Sequence, residues 1–198
     1  MSRIRSLRLD ENSTICPVQK AGKLLFFGDS ITQGYIANLP ENAFVTCVGS
    51  ALNLDVINKG IGGEKYHPIL AKIPDVEGPE NIVVAYGAND WNAESSAAFE
   101  NESLQFCKNL RVCYPTARII ILAPIWDGNR YLERAEWPFR NMASYLSTLT
   151  DKIENLYFID CFDFVPHDLK YYVDGIHPTD EGHKMYARNL VRELQKII

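Results

Sequence analysis

The sequence predicts a three-layer α/β/α domain of the doubly wound, flavodoxin-like kind, built on a five-stranded parallel sheet. Three observations predict it. Five short apolar runs recur along the chain, at Leu24–Phe27, Leu54–Ile57, Asn81–Tyr86, Arg118–Ala123 and Leu156–Asp160. Two of them, "NIVVAY" and "RIIILA", are rich in β-branched residues and apolar on both faces, as in a strand covered from both sides. Between the runs lie segments with helical spacing, and strand–helix alternation repeated in this way marks a parallel α/β architecture.

Each element follows in order. The first run ends directly on Gly28-Asp29-Ser30. "ENAFVTCVGSALN" then sets Phe44, Val48, Ala51 and Leu52 on one helical stripe. "SAAFENESLQFCKNLRVCY" does the same with Phe99, Phe106, Leu110 and Cys113, and Ser95 is placed to cap it. Pro138 suits the first turn of a helix carrying Met142, Leu146, Leu149 and Ile153. A last helix after Pro178 carries Tyr186, Leu190, Leu194 and Ile197. No repeat or low-complexity tract interrupts this pattern. One domain is expected over residues 1–198, with residues 1–22 as an irregular or edge-strand arm.

Composition narrows the function classes. Hydrophobic residues make up 46% and charged residues 23% of the 198, the balance of a globular chain able to bury a core. A net charge of -5 without a basic run gives nucleic acid or an anionic membrane nothing to bind. The first 23 residues alternate charge with isolated Leu and Ile, so no signal peptide is expected, and a cytoplasmic location is. The five cysteines, Cys16, Cys47, Cys107, Cys113 and Cys161, form no C-x-x-C pair and read as unpaired thiols. No cluster of His, Cys and Asp has metal-ligand spacing, so neither metal nor cofactor is expected.

Ligands of open parallel sheets gather beyond the carboxyl ends of the strands. At those ends stand Gly28-Asp29-Ser30, then "NKGIGGE" with Asn58, Gly60, Gly62 and Gly63, then "GAND" with Gly87, Asn89 and Asp90. "PIWDGN" follows the fourth run, and "DGIHP" with Asp174 and His177 precedes the last helix. Singly, each has a plain structural use. Serine caps helices, glycines serve turns, and Asn-Asp makes an Asx turn. Jointly they supply a nucleophile, backbone and amide donors, and an Asp/His pair, which together are the parts of an acyl-transfer site. A glycine loop cradling phosphate, the binding-module alternative, would need a pattern such as G-x-G-x-x-G, which "GIGGEKYHP" lacks, and would leave Asp174 and His177 without a use.

These blocks resemble the GDSL family of serine hydrolases, also called SGNH hydrolases. "FFGDSITQG", "NKGIGGE", "YGAND" and "DGIHPTDEGH" are similar to its four blocks in the family's order, across residues 24 to about 190. The resemblance implies nucleophile Ser30, a triad completed by His177 and Asp174, and an oxyanion hole from Ser30, Gly63 and Asn89, with Gly62 the alternative to Gly63. The chemistry of the residue types agrees. Histidine can take the serine proton, and an aspartate on its other nitrogen fixes the tautomer. Asp29 is expected to order the nucleophile loop by hydrogen bonding. His67, His167 and His183 are expected to be structural or solvated.

The substrate is read more coarsely. Trp91, just after "GAND", and Trp126, after the fourth run, are expected to flank the catalytic rim and to stack on a sugar ring. No segment is long and apolar enough to form a lipid-binding lid. The expected activity is therefore hydrolysis of short-acyl, chiefly acetyl, esters of small molecules or oligosaccharides. A lysophospholipase or acyl thioesterase with the same triad is the alternative.

Overall fold

The computed structural model describes residues 6–74, 76, 78–93, 95–128 and 136–198. Residues 6–22 run as an irregular arm, exposed almost throughout, into the sheet. The strands are β1 (Lys23–Gly28), β2 (Asp55–Gly60), β3 (Asn81–Ala85), β4 (Arg118–Leu122) and β5 (Leu156–Ile159). All pair in parallel, in the order β2-β1-β3-β4-β5, so the expected doubly wound sheet is present. β2 runs three residues beyond its expected end at Ile57, because Asn58, Lys59 and Gly60 continue the ladder opposite Phe26, Phe27 and Gly28.

Strand side chains alternate between two faces, and each face has its own core. Leu25, Phe27, Ile82, Val84, Ile119 and Ile121 face one way. They pack under α4 (Ser96–Cys113) and α5 (Asn141–Ser147) through Phe99, Phe106, Leu110, Met142 and Leu146. Leu24, Phe26, Val83, Ile120, Leu122 and Ile159 face the other way. There they meet α2 (Phe44–Leu52) and α6 (Asp180–Leu194) through Phe44, Val45, Val48, Tyr186, Leu190 and Leu194. Three layers result. No helix among the described residues is long and apolar enough to cross a membrane.

The helices depart from expectation in particular places. On α2 the buried stripe is Phe44, Val45, Val48 and Gly49, while Ala51 is exposed, because Gly49 packs directly against Val56 of β2. Pro138 precedes α5 rather than lying in its first turn, and its carbonyl accepts the Asn141 amide at 2.9 Å. The expected single helix to Ile153 ends at Ser147 and tightens into a 3₁₀ turn, Thr148–Asp151, yet Leu149 and Ile153 are still buried. Ser95 caps α4 as expected, accepting the Ala98 amide at 3.2 Å. A short helix, α3 (Ala88–Ala93), was not expected at all.

His183 on α6 is fully buried, stacked on Phe44 with centroids 6.2 Å apart, and its Nδ1 accepts the Phe44 amide at 3.3 Å. The Tyr35 carbonyl lies near the other ring nitrogen without completing a good hydrogen bond. Burial pushes the ring's pKa down to about 4, against the opposing pull of Asp180. An unfolded histidine titrates near ~6.5, so below that pH the unfolded chain takes up a proton that the folded chain refuses. The stability held by neutral His183 is therefore complete above about pH 6.5 and is lost as pH falls towards about 4, on the order of 3 kcal/mol in all. Asp29 and Asp90, both raised to about 6 by burial, act with the opposite sign. They lose stability as pH rises through that window, so the difference between variant and parent isolates the histidine. Between about pH 7 and about pH 4.5, urea unfolding should show the parent losing stability relative to His183→Gln. The same pH dependence in both proteins would contradict this.

Candidate active site

The register brings three strand ends to one level. Gly28 lies opposite Gly60 on one side and Ala85 on the other, so the segments after β1, β2 and β3 leave the sheet together. The chain winds in opposite directions from β1 towards β2 and towards β3, and such a reversal opens a crevice at the carboxyl edge.

Ser30 opens α1 (Ser30–Gln33), a single helical turn. The cap of that turn is Asp29, whose Oδ1 accepts the Ile31 amide at 3.0 Å. The structural use weighed for Ser30 is thus taken by its neighbour, and the serine hydroxyl is left to meet His177. Burial raises the Asp29 pKa to about 6, while the Ile31 amide and the nearby His177 pull it down. Gly34 ends the turn at a φ of 87°. Asn58 pins α1 to β2, donating to the Thr32 carbonyl at 2.8 Å and accepting the Gly60 amide at 2.8 Å.

Gly60 must be glycine for reasons of space. A Cβ there would lie 2.2 Å from the Gln33 nitrogen and 2.6 Å from the Thr32 carbonyl carbon, both backbone atoms that cannot rotate away. Gly60→Ala should push α1 off β2, destabilising the fold by roughly 1–3 kcal/mol and lowering kcat/KM. Thermal melting with an ester assay tests this, and a variant that keeps both values contradicts the close packing.

The second loop and α3 are bound to each other. Asn89 donates one amide hydrogen to the Glu64 carbonyl at 3.0 Å, and buried Asp90 accepts the Tyr66 amide at 3.1 Å. Burial raises the Asp90 pKa to about 6, against that amide. Tyr66 anchors the loop in an aromatic cluster, with ring centroids 5.3 Å from Tyr86, 5.8 Å from Phe99 and 5.6 Å from Phe106. Gly63 has a φ of 77°, where a side chain would be strained, though the space beside it is open. Asn89 itself lines the cleft beside Gly62 and Gly63.

His177 completes the grouping. Its Nε2 lies 2.8 Å from Ser30 Oγ, and its Nδ1 lies 2.7 Å from Asp174 Oδ2. The other Asp174 oxygen accepts the His177 amide at 2.8 Å and the Ile176 amide at 3.0 Å. Partial desolvation opposes ionisation of Asp174, but the hydrogen bonds from the His177 amide and ring and from Ile176 prevail. They hold the carboxyl below its ordinary range. Ser30, Gly62, Gly63, Asn89 and His177 all line one open cleft of about 520 Å³.

Trp91 requires correction as a rim residue. Trp91 is 5% exposed, with its indole N–H donating to the Trp137 carbonyl at 2.8 Å and its ring edge-on to Phe139. Trp91 is two positions from Asn89 on α3, roughly 200° around the helix, so when Asn89 faces the cleft the indole must face the core. Trp126 follows β4, half-buried, and does not line the cleft itself. It stacks on His167 at 5.1 Å, packs edge-on to Tyr172, and borders a narrow pocket of about 30 Å³ whose lining shares Asp29, Ile31, Ala88 and Ile176 with the cleft. His67 is exposed and pairs with Glu64.

The cleft lining adds residues the sequence reading missed, among them Gln33, Tyr35, Asn92 and Ile176. Asn92 is three positions beyond Asn89, hence on the same helical face. Recognising α3 would have found it.

Residues 26–185 match the model of the GDSL-like lipase/acylhydrolase family. No curated protein sequence matches. Among solved structures, a Bacteroides ovatus protein assigned to the GDSL-like lipases superposes with a TM-score of 0.78 at 22% identity, over 90% of this chain and 54% of that one. The Mycobacterium smegmatis aryl esterase does so at 0.73 and 16%, over 90% and 100%. A family two carbohydrate esterase from Clostridium thermocellum, in complex with cellohexaose, gives 0.73 and 18%, over 92% and 66%. The chain thus spans little more than half of the Bacteroides protein. The identities speak for the shared fold, and the family match covers most of this sequence. The chain belongs to the GDSL-like lipase/acylhydrolase family, a family of carboxylic ester hydrolases.

Proposed function

We propose that the chain is a serine esterase acting on short-acyl esters, acetylated carbohydrates above all, through Ser30, His177 and Asp174 with an oxyanion hole from Ser30, Gly63 and Asn89. The observation that carries this reading is the continuous line from Ser30 Oγ to His177 Nε2 and from Nδ1 to Asp174. His177 takes the serine proton as Oγ attacks the ester carbon. Asp174 holds the ring in the tautomer that leaves Nε2 free to accept, and stabilises the imidazolium that follows. The Ser30 and Gly63 amides and the Asn89 side chain receive the negative charge on the former carbonyl oxygen. Collapse of that intermediate expels the alcohol, which takes the proton back from His177. Water then repeats the sequence on the acyl-enzyme.

The acyl preference follows from the lining. Gly62, Gly63, Ala88, Asn89 and Asn92 are short, and seven of the twelve residues that line the cleft are polar. Such a surface shelters two or three carbons and leaves the rest in water. An apolar tunnel would instead add ~0.8 kcal/mol per methylene buried, a several-fold gain in kcat/KM per carbon. The carbohydrate esterase holding cellohexaose supports the alcohol half of the reading. Across p-nitrophenyl esters from two to sixteen carbons, kcat/KM should be highest for acetyl and propionyl and fall beyond butyryl (about four carbons). A maximum at octanoyl or longer would favour the lysophospholipase or thioesterase alternative.

A further inference from the structure

We propose that Tyr35 determines the alcohol specificity of this site, as a platform for the apolar face of a pyranose ring in the leaving group. The proposal rests on the esterase reading and adds a substrate-selecting residue that the sequence motifs do not contain.

The direction of the reaction locates the alcohol. His177 must hand its proton to the departing alkoxide, so the ester oxygen lies within reach of Nε2 and the rest of the alcohol extends past the imidazole. The aromatic residue at that place is Tyr35. Its ring centroid is 4.9 Å from that of His177 at an interplanar angle of 73°, and it belongs to the cleft lining. It is also 55% exposed. A tyrosine whose only task was to hold the imidazole would bury its ring against it, whereas this one, at the cleft, leaves more than half of its surface open.

The backbone that carries the ring is tightly held. The Tyr35 amide donates to the Ser30 carbonyl at 2.9 Å, and the Ala37 amide closes the turn on the Gly34 carbonyl at 3.2 Å. Gly34 and Ile36, on either side, have φ values of 87° and 71°. A β-branched residue in the left-handed region is strained, and such strain persists where the surroundings over-determine the conformation. Asn38, just beyond, is clamped by Asp180 through its amide at 3.0 Å and its side chain at 2.9 Å. An aromatic side chain on a fixed backbone has few torsions to lose on binding, and its flat face matches the axial C–H face of a sugar. Gln33 supplies the polar complement. It is exposed beside Gly62, with Oε1 3.1 Å from where a Cβ of that glycine would stand, within the same cleft.

The test compares kcat/KM for methyl 6-O-acetyl-β-D-glucopyranoside, phenyl acetate and ethyl acetate in the parent, Tyr35→Ala and Tyr35→Phe. Tyr35→Ala should lower the glucoside-to-ethyl-acetate ratio about tenfold, chiefly through KM, and Tyr35→Phe should restore it to within about twofold. An unchanged ratio, with all three esters falling together through kcat, would reduce Tyr35 to a support for His177 and overturn the proposal. A ratio that drops for phenyl acetate alone would overturn it in favour of an aryl alcohol. Failure of the underlying reading looks different. Parent turnover of ethyl acetate that Ser30→Ala removes keeps the esterase reading whatever Tyr35 does, and absence of that turnover removes both.

Discussion

Ser30→Ala lowers kcat for an acetyl ester by on the order of 10⁴ or more, leaving less than about one per cent of parental turnover, with the fold intact. The size of the effect follows from the chemistry, since no other hydroxyl stands within 2.8 Å of the His177 ring nitrogen in the described cleft. The fold survives because Ser30 ends at the surface of the sheet, half-buried, and its hydroxyl holds no element in place. The cap of α1 is Asp29, which the substitution does not touch. His177→Ala should match it, because the two side chains act as a unit and the loss of either removes the same step. Steady-state kinetics on purified protein, with circular dichroism melting beside it, checks both. Residual activity well above one per cent in Ser30→Ala would mean that another residue attacks the ester.

Asn89→Ala lowers kcat by roughly 10²–10³ and leaves KM nearly unchanged, since its amide acts on charge that develops only as the reaction proceeds. In the proposed oxyanion hole the Ser30 and Gly63 amides would remain, and they account for the activity expected to survive. The same substitution also removes the bond to the Glu64 carbonyl, so the loop carrying Gly63 loses one of its ties to α3. The tie through Asp90 and the Tyr66 amide is untouched, and Tyr66 keeps the loop seated in the aromatic cluster. Melting temperature should accordingly fall little. A raised KM with kcat held would make Asn89 a ground-state binding residue and leave the hole with two donors.

Much of this arrangement was legible because strands buried on both faces have an unmistakable composition, and because the polar groups at their ends follow at once in sequence. "NIVVA" and "RIIIL" became β3 and β4 within a residue of the expected bounds. Ser30 and the glycine loop come together because β1 and β2 are neighbours whose ends are in register, whereas Asp174 and His177 follow β5 at the far edge of the sheet and are brought back to Ser30 by the long loop before α6. Where sequence reasoning fell short, the cause was side-chain direction rather than identity. Asn-Asp looks like a turn because both residues are weak helix formers, yet burial of Asp90 on the Tyr66 amide draws "ANDWNA" into a helix. Once it is a helix, the indole of Trp91 turns inward and Asn92 turns outward, reversing their apparent importance. Tyr35 went unremarked because its exposure follows from two left-handed residues, Gly34 and Ile36, and the second has no signature in sequence.

The most direct test of the account is covalent. A fluorophosphonate presents a phosphorus centre that an activated serine attacks through Oγ, displacing fluoride and leaving a stable phosphonyl ester, while His177 accepts the serine proton. Intact-mass and peptide mass spectrometry after labelling should find one phosphonyl group, carried by Ser30, forming fast in the parent and very slowly in His177→Ala. Labelling of a different serine, or turnover of acetyl esters by protein that the reagent leaves unlabelled and uninhibited, would contradict Ser30 as the nucleophile.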